Sequence, residues 1–459
     1  MLKNKSWIIL FSILILMLES CKVVQPYQQP SVDHPDVFRH VPNSDTTSIA
    51  SIPWRTIFTD QKLQALIQEG IENNLDLKIA TARVKAAQAN LAQSKVAFYP
   101  NLSANTSVTY QKVNANMINM NQPYQLSASS SWELDIWGKL SSLKRASLAA
   151  FLQSEAYQRA VQTELIASIA SQYYALLALD QQLKISLKTV ENRKSDVATM
   201  KLLKESDVVT GADVVQSQAS ELSLTATIPD LKQNIREMEN AISILLGRAP
   251  GNIDRDSLSN QSIAVDLNIG IPSQLLANRP DVQQAEYQFR YSFELTNVAR
   301  TYFYPTLSIT AQGGLSNSSL SDFFNASSVF ANILAGLTQP IFNNGLNKQR
   351  LAVAQATQEE SFSTFKQSLL SAGAEVSNAL YNYQMALEKI EIRKQEIFYL
   401  QKSVEFTQEL LKYSSNTNYN DVLASEQNLL NAELNSISDK LQQLQATVEL
   451  YRSLGGGVK

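Results

Sequence analysis

Residues 138–204 read GKLSSLKRASLAAFLQSEAYQRAVQTELIASIASQYYALLALDQQLKISLKTVENRKSDVATMKLLK. The stretch contains no proline, and its glycine stands at the very start. Leu165, Ile169, Tyr173, Leu176, Leu183, Leu187, Val190 and Val197 recur at three-four spacing, the period of one helix face. One helix over 138–204 would be roughly 100 Å long. A narrow apolar seam kept over so many turns calls for coiled-coil packing against other long helices, because such a rod cannot fold back on itself. A second stretch, 345–412, repeats the pattern with Phe362, Phe365, Leu369, Ala372, Val376, Leu380, Tyr383, Leu387, Ile390 and Ile397.

The two stretches belong to an internal duplication. Phe98-Tyr99-Pro100-Asn101-Leu102 returns as Phe303-Tyr304-Pro305-Thr306-Leu307, and Gly138 as Gly345. Leu202-Leu203-Lys204 returns as Leu410-Leu411-Lys412, Asp213-Val214 as Asp421-Val422, and Leu246-Gly247 as Leu454-Gly455. Ordered matches at nearly one long offset mean a unit used twice and not a short-repeat solenoid. The halves are 60–249 and 276–457, joined by a linker over 250–275 that holds Pro250, Gly251, Gly270 and Pro272.

Each half reads helix, two strands, long helix, turn, helix. In the first, Leu63, Leu66, Ile67, Leu75, Ile79, Ala82, Ala86 and Ala89 give a helix from Asp60 to Phe98, and Pro100 breaks it. The period then falls to two. Leu102, Ala104, Thr106, Val108 and Tyr110 alternate with polar residues over about 101–113. Tyr124, Leu126, Ala128, Trp132, Leu134 and Ile136 do so over 123–136. Helices follow over 138–204 and 212–246. The second half has strands over 306–317 and 328–341, then helices over 345–412 and 420–454. Phe330 and Leu334 spoil the alternation of its last strand. Strands with one apolar and one polar face suit a wall between lipid and water. Four are too few to close, since a barrel takes about eight or more. Two, three or four copies would supply enough.

Composition narrows the function. The formal charge of -3 offers no basic footprint for nucleic acid. Scarce Gly and Pro favour helices. One cysteine, Cys21, rules out an intrachain disulfide, and the two histidines, His34 and His40, have no grouped partners that would make a metal site. No phosphate loop, nucleophile elbow or zinc spacing is present, so neither an enzyme nor a cofactor is expected. Lys3 and Lys5 precede an apolar run, Trp7 to Leu18, of signal-peptide length. It ends Leu18-Glu19-Ser20-Cys21, which resembles the lipobox of bacterial lipoproteins despite Glu19. Cleavage after residue 20 would expose Cys21 for lipidation; a plain secretory signal is the alternative. Residues 21–59, rich in Pro, Ser and Gln, read as an extended leader.

Ser131-Trp132-Glu133-Leu134-Asp135-Ile136-Trp137-Gly138, Asn278-Arg279-Pro280-Asp281-Val282, Gln339-Pro340-Ile341-Phe342 and Asp421-Val422-Leu423, in this order, resemble the TolC-like outer membrane efflux family in its lipoprotein branch. The likeness covers about residues 60 to 457. It implies an α-dominated membrane protein: a homotrimer with a twelve-stranded transmembrane β-barrel in the outer membrane and a long coiled-coil α-barrel in the periplasm. It also implies a periplasmic adaptor and an inner-membrane pump, of the RND type or related, as partners. The expected function is a passive exit duct for drugs or metabolites, anchored in outer-membrane lipid through Cys21. A duct for secreted proteins, a poreless periplasmic scaffold and a surface adhesin are the alternatives.

The family closes its periplasmic end with carboxylates near the helix tips. The family's second acid is Ala424 here, so Asp421 alone is inherited at that site, with Asp213 its counterpart in the first repeat. Either aspartate also reads as a helix N-terminal acid; capping is the preferred role for Asp213, while gating and capping stand level for Asp421. Ser414, Ser415 and Asn416 occupy the tip where the family often has glycine. Trp132 and Trp137 are candidates for aromatic anchors at the membrane interface.

Overall fold

The computed structural model of the chain describes residues 23–30, 53–109, 124–262, 279–413 and 419–456. Cys21 with the signal segment, His34, His40, the stretch of the first strand beyond 109, the second half of the linker (263–275) and the tip residues 414–416 lie outside the described residues. The chain divides into two compact units. One holds 83–155 and 284–366 with the N-terminal leader to 32; the other holds 33–82, 156–283 and 367–459.

In chain order the elements are α1 (Trp54–Ile57), α2 (Gln61–Asn73), α3 (Leu75–Val96), β1 (Asn101–Val108), β2 (Tyr124–Leu134), α4 (Lys139–Glu205), α5 (Gly211–Thr225) and α6 (Thr227–Leu245). The second repeat supplies α7 (Pro280–Thr301), β3 (Thr306–Asn317), β4 (Val329–Thr338), α8 (Leu346–Tyr413) and α9 (Tyr419–Ser453). Among the described residues no helix is long and apolar enough to cross a membrane.

Three features differ from the sequence reading. The leader is not extended up to residue 59, because Trp54–Ile57 forms a helical turn and Phe58 is buried against Tyr451. The helix expected from Asp60 to Phe98 is two helices. Asn74 leaves helical geometry at ψ 134°, its side-chain oxygen accepts from Leu77 N at 2.9 Å, and its amide donates to the Leu245 carbonyl at 2.9 Å. It thereby caps α3 while tying it to the end of α6. The helix expected over 212–246 is also two, parting at Ala226. Pro229 explains the break: it has no N–H for the Thr225 carbonyl, and its ring crowds that carbonyl. In the second repeat α9 has no proline and runs unbroken for 35 residues.

The helical unit is packed around Leu63 and Ile67 of α2, Ile166, Ile169, Tyr173 and Leu176 of α4, Ile242 of α6 and Leu450 of α9, all essentially inaccessible. Each large aliphatic buried there contributes about 1.5–3 kcal/mol. Gly70 lets α2 approach so closely that a Cβ would strike the Ile169 side chain. The seam residues are not all covered. Leu187 of α4 and Leu387 of α8 stay exposed, as do Ile392, Phe398, Tyr399 and Phe406 farther along α8.

Arg279, almost wholly buried, gathers the start of α7. It donates to the Ser453 carbonyl at the end of α9 (2.8 Å), to Asp281 (2.7 Å) and to Glu375 of α8 (2.8 Å). Burial pushes the Asp281 carboxyl up, but the guanidinium outweighs this and holds it below the usual carboxylate range.

Candidate functional site

The sheet order is β1-β2-β3-β4, all antiparallel, so β1 and β4 each have a free edge. The register sorts the side chains into two faces. Leu102, Ser130, Ala311 and Ile333 form one row across the sheet, and Thr106, Leu126, Leu315 and Val329 another on the same side. With Trp132, Ile309 and Ala335, and Leu134, Leu307 and Leu337, they make an apolar face. The opposite face carries Ser103, Ser129, Gln312 and Asn332, and Asn101, Ser131, Thr310 and Leu334. Its hydroxyls and amides bond to one another: Ser103 Oγ with Ser129 Oγ at 2.8 Å, and Gln312 Nε2 to Ser127 Oγ at 3.2 Å. Phe330 and Leu334, which spoil the alternation in sequence, are the large apolar residues on this polar face.

The helix-to-strand corners explain one motif residue by residue. Trp132 Nε1 donates to the Phe98 carbonyl (2.8 Å) at the first Phe-Tyr-Pro corner. Trp137 Nε1 donates to the Pro305 carbonyl (2.7 Å) at the second and lies 5.0 Å from the Tyr304 ring. Glu133 pairs with Lys139 at 2.9 Å. Asp135 caps α4, accepting from Leu140 N and Ser141 N. Gly138 then turns the chain with φ +78°.

The leader residues Val24 to Pro30 lie against the same unit. Asn297 of α7 grips the Gln25 backbone on both sides, accepting from its N–H at 3.1 Å and donating to its carbonyl at 2.9 Å. Tyr27 packs on Phe289 and Phe293, with the Arg290 guanidinium over its ring. Nothing in the spacing of these α7 residues singles them out, because their partner stands a few residues beyond Cys21, far away in sequence.

Where the long helices end, Met200 of α4, Val214 of α5, and Tyr419 and Val422 of α9 form a buried cluster with Leu203, Val209, Leu411 and Leu423 around it. Tyr419 and Ser217 share a buried hydroxyl–hydroxyl bond of 2.9 Å. The two aspartates singled out in the sequence sit in matching first turns, Asp213 in α5 and Asp421 in α9. Asp213 completes a capping box. Thr210 donates to its carboxylate through N–H (2.8 Å) and hydroxyl (2.7 Å), and these donors hold the carboxyl below its usual range. Asp421 is exposed.

Next to this cluster lies a polar layer that the sequence did not disclose. Arg193 of α4, only 3% exposed, donates to the Ser220 carbonyl and hydroxyl of α5 and to Gln427 of α9 (2.7 Å). One turn on, Asp196 meets Glu426 of α9 carboxyl to carboxyl. Burial, then the Glu426 charge, pushes Asp196 up to about 6. Among the described residues no group of His, Cys, Asp and Glu is arranged to hold a metal ion.

Comparison with known proteins agrees with this geometry. The sequence model of the family described as outer membrane efflux protein matches residues 66–248 and 271–456. The probable outer membrane lipoprotein SilC of Salmonella typhimurium is 29% identical over 453 residues, spanning 96% of this chain and 97% of its own. The toluene efflux pump outer membrane protein TtgC of Pseudomonas putida is 26% identical over 459 residues, spanning 96% and 93%. Among solved structures, a crystal structure of CusC, described as forming a transmembrane channel, superposes with a TM-score of 0.84 at 26% identity, covering 95% of this chain and 100% of that one. The family match spans both repeats, the sheet and the helix ends, and the chain belongs to the outer membrane efflux protein family.

Proposed function

We propose that three copies of this chain close their sheets edge to edge into a twelve-stranded barrel, giving a passive exit duct for small molecules across the outer membrane. The two-faced sheet with free edges at β1 and β4 is the observation that carries this reading. An open apolar edge strand is a liability in a lone protein and is relieved by pairing with another copy. A poreless scaffold has no use for such a sheet. The exposed Ile392, Phe398, Tyr399 and Phe406 of α8 supply apolar surface for the neighbouring copies to cover.

In this reading a periplasmic adaptor and an inner-membrane pump deliver the cargo, and Cys21 carries the lipid anchor. CusC, named a cation efflux system protein in Escherichia coli, and TtgC, named for toluene efflux, carry chemically unlike cargo in their names and each match 96% of this chain. That supports a conduit whose cargo is chosen by the pump. Trp132 and Trp137 act first as corner staples and present their rings near the membrane interface. Asp421, exposed at the start of α9, is the gate carboxylate, and Asp213 is a cap.

Single-channel recording of the purified, lipidated protein in planar bilayers tests this. Wild type is expected to give a small, mostly closed conductance that rises in Asp421→Ala. Stable channels unaffected by the substitution would keep the duct and remove Asp421 from the gate. Folded, inserted protein that never conducts would defeat the duct.

A further inference from the structure

The register puts all four helix–strand junctions at one end of the sheet. Asn101 pairs with Ser131, Leu134 with Leu307, and Thr306 with Thr338. From that end the strands run without charge. Glu133, at the junction end of β2, is the single Asp, Glu, Lys or Arg within β1 to β4. β2, β3 and β4 are 11, 12 and 10 residues long, the length a tilted strand needs to cross the hydrocarbon of a bilayer. At the far end the β3–β4 connection, 318–328, holds Asp322 and no cation.

Cations gather at the junctions. Lys95 stands in the last turn of α3, Lys144 in the second turn of α4, and Lys348 and Arg350 in the first two turns of α8; all four are exposed. The ion pairs at this end are Lys139–Glu133 (2.9 Å) and Arg145–Glu294 (2.8 Å), and none of the four enters one among the described residues. Lys144 lies instead 5.9 Å from the centre of the Phe98 ring, and Arg350 lies 4.7 Å from that of Tyr302. Asp135, the other acid here, is occupied by Leu140 N and by the N–H and hydroxyl of Ser141. Lys95 complements the C-terminal end of its helix. Lys348 does the opposite. It stands in a first turn, where the macrodipole disfavours a cation, and neither α4 nor α8 has an acid there. Helix stability therefore does not explain these cations.

We propose that Lys95, Lys144, Lys348 and Arg350 form a basic collar that binds the phosphates of anionic phospholipids in the leaflet on the helix side of the sheet. The proposal rests on the barrel reading and names a lipid partner for it. Three observations favour lipid over an acidic protein. The collar borders a charge-free band of bilayer height. Tyr99, Ile341 and Phe342 are exposed at the same end, the mixture of aromatic and basic groups suited to headgroup level. The leader points there as well. Val24 packs where Gly138 turns the chain, and Cys21 precedes it by three residues, at most about 11 Å of chain. Arg350 keeps its affinity for phosphate while it lies on Tyr302, because stacking leaves the in-plane N–H groups of a guanidinium free.

The test reconstitutes the full-length lipidated protein into vesicles of phosphatidylethanolamine alone and with added phosphatidylglycerol. Insertion is followed by the heat-resistant oligomer on gels. Wild type is compared with a collar variant, Lys95→Gln, Lys144→Gln, Lys348→Gln and Arg350→Gln together. A control carries the same charge change on exposed lysines farther along α4, Lys184→Gln, Lys188→Gln, Lys201→Gln and Lys204→Gln. In wild type and control, phosphatidylglycerol is expected to speed insertion severalfold at low salt. The collar variant is expected to lose most of that gain and to insert into phosphatidylethanolamine as wild type does. Salt is expected to erase the wild-type gain, since the screening length falls from about 30 Å at about 0.01 M to about 3 Å at about 1 M. Native mass spectrometry reads binding directly: wild type is expected to retain phosphatidylglycerol over phosphatidylethanolamine, and the collar variant to show no preference. Equal wild-type rates in both vesicles without preferential retention would overturn the collar and leave the barrel standing. So would a gain lost as fully in the control as in the collar variant. A collar variant that keeps the lipid response and changes the ion selectivity of its channels would put the cations in the lumen, which also overturns the proposal. Folded protein that inserts into neither vesicle would count against the barrel, and its lipid retention would then decide the collar separately.

Discussion

Gly138 and Gly345 occupy matching places ahead of the two long helices and share φ +78°, a conformation that an L side chain enters at a cost of about 1–2 kcal/mol. Their surroundings differ. A Cβ on Gly138 would come within 2.9 Å of the Val24 side chain, whereas one on Gly345 would meet nothing within 4 Å. Gly345→Ala is therefore expected to cost about 1–2 kcal/mol and Gly138→Ala about 1–3 kcal/mol more, from overpacking against the leader. Denaturant midpoints of the two variants check the difference. Equal midpoints would mean that the leader does not press on this corner. The paired aspartates stand in matching first turns: Asp213 completes a capping box with Thr210, and Asp421 is exposed.

At the scale of the strand, neighbouring residues have opposite duties. Ile333 lies in the apolar row with Ala311 and Leu102, and Leu334 in the polar row with Thr310 and Asn101. Both are largely exposed in the single chain. If the apolar face meets lipid, Ile333→Arg is expected to cost about 2–4 kcal/mol near the bilayer midplane and to reduce membrane insertion. Leu334→Arg is expected to insert normally and to change only conductance. The heat-resistant oligomer band on gels and the recovery in the outer-membrane fraction report insertion; equal behaviour would reverse or abolish the assignment of faces. The irregular alternation of β4 is then no defect of the strand, since period two places Phe330 and Leu334 together on the wetted side.

For the whole molecule, the proposed duct has its leader connect a lipid anchor at Cys21 to the fold. Asn297 and the Phe289–Phe293 slot hold residues 25 to 27 just beyond Cys21. Cys21→Ser is expected to abolish incorporation of labelled palmitate and to lower assembled oligomer severalfold. Normal assembly without acylation would show that the sheet inserts unaided. The α8 side chains left bare in one copy, Phe398 and Tyr399 among them, should become protected from surface labelling in the same oligomer.

Much of the molecule was legible in advance, and the reason is periodicity. A seam at three-four spacing, a shift to period two and the return of both after about two hundred residues describe long helices, two-faced strands and a duplication without any tertiary contact. Turn chemistry was less visible. Pro229 was present to be read, while the break at Asn74 depends on the Leu245 carbonyl, which only folding brings near. The Asp196–Glu426 seam, the Arg193 reach and the Asn297 grip join residues separated by more than two hundred positions, as in the Gln25–Asn297 separation of 272. Periodicity decides which face of an element is buried, because that depends on the element's own geometry. Which polar group meets another across a seam depends on the packing of separate elements, and only the tertiary structure decided it.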